Sequence, residues 1–138
     1  MEFSTKAVEK MSEILAEEMG RLMPNPQGMR EIETGMRDLL RQAGAKGLTK
    51  YLEQADAAEP LEKEKDCGCQ GKQQYLFRRE AVILSVFGRV SYKRRYYTCP
   101  NCKSGLCPLD QRFNLAAGEV TAGLAELLAL AGVETAFA

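Results

Sequence analysis

The chain has no histidine and no tryptophan among its 138 residues. Without histidine there is no imidazole base and no Cys/His metal site. A transition-metal site must then be built from thiolates or carboxylates. No phosphate-binding glycine loop occurs, and no serine or cysteine nucleophile stands with a base. The longest apolar run, near Leu124 to Ala131, contains Glu126 and is too short to span a bilayer. The N-terminus lacks a basic start followed by an apolar stretch, so no signal peptide is visible and a cytoplasmic, reducing location is expected. No small-molecule substrate and no membrane partner are implied.

Cysteine is scarce but concentrated. All five cysteines fall between Cys67 and Cys107. Cys67-Gly68-Cys69 opens the stretch, and Cys99-Pro100-Asn101-Cys102 follows an apolar and basic segment. In a reducing compartment such close pairs are more often metal ligands than disulfides. Cys67, Cys69, Cys99 and Cys102 are therefore the candidate ligands of a structural Zn²⁺, with no open coordination position. Gly68 and Gly71 are expected to let the irregular first pair turn both sulfurs to one ion. Cys107 is left over, either as a small buried residue or as a replacement for Cys67 or Cys69.

The net charge of zero conceals a division. Residues 65–112 hold ten Lys/Arg against three Asp/Glu, and the remainder holds nine against sixteen. A basic module attached to acidic helical segments points to nucleic acid as a partner. The candidate contacts are Arg78, Arg79, Arg89, Lys93, Arg94 and Arg95, interleaved with Tyr92, Tyr96 and Tyr97. Asp110 stands alone among these cations and reads as a cap or an arginine partner rather than a catalyst.

Periodicity supplies the frame. Phe3 to Met23 reads as an amphipathic helix with Ser4 or Thr5 as N-cap, stopped by Pro24 and Pro26. A second helix carries Met29, Ile32, Met36, Leu39, Leu40 and Ala43 on its apolar face. Gly44 and Gly47 are expected to end it, and a short third helix to cover Leu48 to Ala57. These helices must pack on each other, on the cysteine module or on a second copy, and a homo-oligomer through them is expected. Gln74 to Ser85 and Val90 to Thr98 read as the strands of a hairpin turning at Gly88. Alternation puts Val90, Tyr92, Arg94 and Tyr96 on one face and Ser91, Lys93, Arg95 and Tyr97 on the other. Leu106 to Ala117 reads as a loop, followed by a helix to Ala131 that Gly132 caps. Residues 133–138 read as the start of an unfinished element, as in a fragment of something longer.

The fold class is thus α+β, with N-terminal helices, a zinc-ribbon-like β-hairpin and a C-terminal helix. The expected divisions are a helical region 1–57, a linker 58–66, a cysteine module 67–112 and a helical segment 113–138.

From Cys67 onward the chain resembles the N-terminal zinc-binding region of bacterial insertion-sequence transposases of the ISKra family. The likeness rests on Val86-Phe87-Gly88-Arg89-Val90, on Arg95-Tyr96-Tyr97-Thr98-Cys99-Pro100-Asn101-Cys102 and on Lys103-Ser104-Gly105-Leu106-Cys107-Pro108-Leu109-Asp110. The region around Met29 to Leu52 is similar less specifically. The resemblance implies a zinc-ligand role for Cys99 and Cys102, and more loosely for Cys67 and Cys69, whose spacing departs from Cys-x-x-Cys. It also implies a DNA-binding or assembly role. The family's DDE-type nuclease domain would follow this region. The chain stops before it and carries none of its catalytic residues, so no enzymatic activity is expected. The alternative is a protein-interaction module in which the zinc ribbon is purely structural.

Overall fold

The structure is a computed structural model that describes residues 1–137, with side chains described through residue 132. Its class is α+β. The elements in order are α1 (Thr5–Leu22), α2 (Met29–Ala58), β1 (Glu64–Asp66), β2 (Lys72–Ser85), β3 (Gly88–Thr98), β4 (Gly105–Leu106), α3 (Pro108–Phe113) and α4 (Ala122–Phe137). The four strands form one antiparallel sheet in the order β1-β2-β3-β4. No described helix is long and apolar enough to cross a membrane. Two compact units divide within α2, Met1–Ala43 and Gly44–Ala138.

In the first unit, α1 begins at Ser4, whose side chain accepts a hydrogen bond from the Ala7 N–H. Near its C-terminus Met19 and Met23 lie over Gly35, where a Cβ would come within 2.2 Å of the Met23 methyl carbon. Met19 is the one residue of this unit classed as buried.

In the second unit the hairpin is the scaffold. Ser85 pairs with Gly88 across the turn, and Gly88 takes φ 95°, open to glycine at little cost. The core joins Ala81, Ile83, Val90 and Tyr92 of the hairpin to Leu52 of α2 and Leu109 of α3, with Leu48, Ala55, Phe113 and Leu115 around them.

Both edges of the hairpin are covered near its tip. Along β3, Thr49 donates its hydroxyl to the Ser91 carbonyl (2.8 Å). Glu53 accepts the Lys93 N–H (2.9 Å), and Asp56 accepts the Arg95 N–H (3.2 Å). These three residues recur at helical spacing, so one polar stripe of α2 satisfies the backbone groups that β3 would otherwise leave open. Along β2, Gly118 N–H donates to Val82, Glu119 accepts from Leu84, and Thr121 N–H donates to Leu84.

Several local expectations are corrected. Gly44 and Gly47 do not end a helix: α2 runs through both, with the Phe87 ring packed onto the bare face at Gly44 and open space at Gly47. The segment expected as a linker contains β1, which pairs with β2. The segment expected as a loop contains α3, with Pro108 in its first turn and Asn114 in the left-handed region (φ 55°) closing it. α4 starts later than expected, since residues 118–121 are held against β2, and it continues past Gly132. The expected unfinished element is this helix's last turn as far as Phe137; Ala138 lies outside the described residues.

Candidate metal centre

The sheet's connectivity brings the cysteines together. Cys67 and Cys69 occupy the turn between β1 and β2, and Cys99 and Cys102 the turn between β3 and β4. The two turns repeat one hydrogen-bonding plan. Cys67 N–H donates to the Gly71 carbonyl (3.0 Å), and its own carbonyl accepts from Gln70 (3.0 Å). Cys99 N–H donates to the Ser104 carbonyl (3.0 Å), and its carbonyl accepts from Lys103 (2.8 Å). Gln70 and Lys103 both take positive φ, 71° and 63°. Because β2 and β3 pair from the turn out to Gln74 and Thr98, the two cysteine turns meet at the hairpin's open end.

There the four Sγ atoms lie within 4.8 Å of one another. Cys67 and Cys102 are 3.6 Å apart, and Cys69 and Cys99 are 3.5 Å apart. An ion with bonds of about 2.3 Å to four tetrahedral sulfurs sets sulfurs about 3.8 Å apart, close to these separations. A disulfide needs about 2.05 Å, and all five cysteines are free thiols. The arrangement can hold one metal ion.

Gly71 makes the approach possible by its lack of a side chain. A Cβ there would sit 3.1 Å from Asn101 Cβ and 3.2 Å from both Cys69 Sγ and Cys99 Sγ. Gly68, in contrast, has open space around it. Polar groups surround the sulfurs. Asn101 Nδ2 donates to Cys69 Sγ (3.5 Å), Gln73 Nε2 to Cys67 Sγ (3.8 Å), and the Ser104 hydroxyl lies 3.0 Å from Cys102 Sγ. Such donors orient thiolates and stabilise their charge.

The Cys69 backbone N–H, then the Ser104 hydroxyl, pull the Cys67 thiol down to about 6. Asn101 and the Gly71 N–H lower Cys69. Cys99 goes the other way, to about 11: the Cys102 N–H favours its thiolate, but burial and the neighbouring sulfurs outweigh that. The lowering at Cys67 and Cys69 favours the thiolate form that ligation requires. Cys107 lies outside the cluster, half-buried at the start of α3, and burial raises its pKa.

The six candidate cations are not brought to one surface. Register places Arg79 opposite Arg94 on the face that also carries Ala81 and Tyr92. Arg78 opposite Arg95, Lys93 opposite Glu80, and Arg89 opposite Leu84 lie on the other face. Arg94 is only 5% exposed. Its Nε and Nη2 donate to Asp110 Oδ2 (3.0 and 2.9 Å), and Nη1 donates to the Arg79 carbonyl (2.8 Å). Tyr92 Oη donates to Asp110 Oδ1 (2.7 Å), and burial together with this bond raises the tyrosine's pKa. Asp110 is thus the arginine partner that its isolation suggested, and Arg94 is a core residue.

Arg95 is largely enclosed, donating to the Glu59 carbonyl (2.8 Å) with Asp56 Oδ2 3.9 Å from its Nε. Asp56 Oδ2 has no hydrogen-bond partner and lines a cavity of about 20 Å³, room for a single water. Arg78, Arg79, Arg89 and Lys93 remain exposed, Arg79 lying over the Tyr96 ring at 5.1 Å.

The alternation of β3 also changes along its length. A register shift between Tyr75 and Phe77 puts an extra residue in β2. Beyond it Tyr97, not Tyr96, is buried, with its hydroxyl donating to the Glu62 carbonyl (2.7 Å).

No protein-family profile, no curated protein and no solved structure matches the chain.

Proposed function

We propose that the chain is a non-catalytic zinc module that binds nucleic acid through phosphate contacts. The observation that carries the zinc reading is the cluster of four cysteine sulfurs within 4.8 Å of one another. Four thiolates with no histidine and no carboxylate among them favour Zn²⁺ over harder cations, and a fully ligated ion has a structural role. DNA is the proposed nucleic acid, in keeping with the ISKra-type motifs. Arg78, Arg89 and Lys93 share one exposed sheet face, and Arg79 reaches the surface from the other. These four can contact phosphates, whereas Arg94 and Arg95 serve the fold.

The test is titration of a duplex with the zinc-loaded chain at several salt concentrations. Engaging about four phosphates gives a slope of log affinity against log salt of about −3.6. An Arg78→Ala/Lys93→Ala pair should lower that slope by about 2. An unchanged affinity in this pair, or no binding at low salt, would refute the nucleic-acid reading while leaving the metal centre in place.

A further inference from the structure

The unit formed by residues 1–43 presents an apolar surface with no cover of its own. Phe3, Val8, Met11, Ile14, Leu22 and Met29 are each 54–68% exposed. Along α1, Val8, Leu15 and Leu22 recur every seven residues, with Met11 at the intervening seam position of the first heptad and Glu18, paired to Arg21, at that of the second, an apolar seam in part like that of a helix that packs lengthwise on another. The partner inside the same unit does not fill this seam, since only Met19 is buried there.

We infer that this face of α1 pairs with the same face of a second copy, making the chain a homodimer through its N-terminal helices. Area supports a macromolecular cover. The five of these on or just before α1 offer on the order of 100 Å² each, a substantial part of the roughly 800 Å² per partner of a standard interface. Charge selects the copy over an unlike partner. Residues 1–43 carry six Lys/Arg and eight Asp/Glu, interspersed along both helices. A unit so nearly balanced neither repels itself nor recruits a strongly charged stranger. A two-fold pairing is also self-complementary, so one apolar seam covers the other.

The experiment is sedimentation equilibrium of the zinc-loaded full chain from about 1 to 200 µM, beside a Met11→Lys/Ile14→Lys variant. These loadings bracket the micromolar dissociation constants of modest interfaces. The wild type should move from the 15.3 kDa of one chain to twice that mass. The variant should stay at single-chain mass, its association weakened on the order of 100-fold or more. Its Co²⁺ charge-transfer spectrum and far-ultraviolet circular dichroism should match the wild type, which separates lost pairing from lost folding. A Val8→Gln/Met11→Gln variant, free of new charge, should weaken association in the same direction. Wild type that stays at 15.3 kDa throughout, or variants that associate as wild type does, would overturn the inference and assign this face to another occupant.

Discussion

At the scale of single residues, two positions decide more than their size suggests. Gly71 stands where any Cβ would press on two sulfurs of the centre, while Gly68 faces open space. Gly71→Ala should weaken Co²⁺ or Zn²⁺ affinity on the order of tenfold, and Gly68→Ala should leave it unchanged, in a competition titration with a chromophoric chelator. Asp110 neutralises Arg94 and accepts from Tyr92 in surroundings where water is scarce. Asp110→Asn removes the countercharge and leaves a buried guanidinium, so urea unfolding should show a loss of about 3 kcal/mol. The local sequence suggests each role only in outline, a glycine beside the first cysteine pair and a lone acid among cations, without naming the partners. Two of the glycine's three nearest neighbours, Cys99 and Asn101, come from the other cysteine turn, and Arg94 looks like any cation in a basic run. What the residues do declare is chemistry: four thiols without a histidine can be read as a thiolate site before any fold is known.

Among the elements, the hairpin was the most legible, because β-branched residues and Gly88 mark its strands and turn within one window. α2 was the least, because helix propensity counts Gly44 and Gly47 as breaks and says nothing of the ring that one of them accepts. The two glycines should now respond in opposite directions. Gly47→Ala meets nothing and should stabilise by up to about 1 kcal/mol, the ordinary gain in a helix interior. Gly44→Ala places a Cβ 2.5 Å from the Phe87 ring, so it should destabilise by on the order of 1 kcal/mol. Thermal melts of both variants check the pair. β1, β4 and α3 escaped notice for a different reason. Each is six residues or fewer, too short for periodicity, although Pro108 ahead of Asp110 was a usable helix-start signal.

For the whole molecule, the charge division seen in the sequence is real, but its cations are shared between two tasks. Arg94 ties the sheet to α3 and Arg95 ties it to α2, Arg78 also lies 3.8 Å from Asp56 of α2 while staying exposed, and Arg79, Arg89 and Lys93 belong to the outer surface. The supports of the hairpin are likewise divided. Its tip rests on α2, α3 and the 118–121 segment, while its open end has the cysteine turns. Removing the proposed Zn²⁺ from the loaded chain should therefore abolish amide protection around residues 64–75 and 97–106, yet preserve it at Ala81, Ile83, Val90 and Tyr92. Hydrogen exchange read by mass spectrometry distinguishes this from the complete unfolding that a module folded only by its metal would show.

The same placement of the cysteines at the far end from the turn sets an order of events in time. The chain reverses at Ser85 and Gly88, separated by only two residues, and a hairpin closing from such a turn takes about 1–10 µs. The sulfurs are the last parts of the two strands to arrive. A metal bound by these four thiols would consequently capture a hairpin already zipped at its tip and close its open end, lengthening the life of the folded state more than hastening its birth.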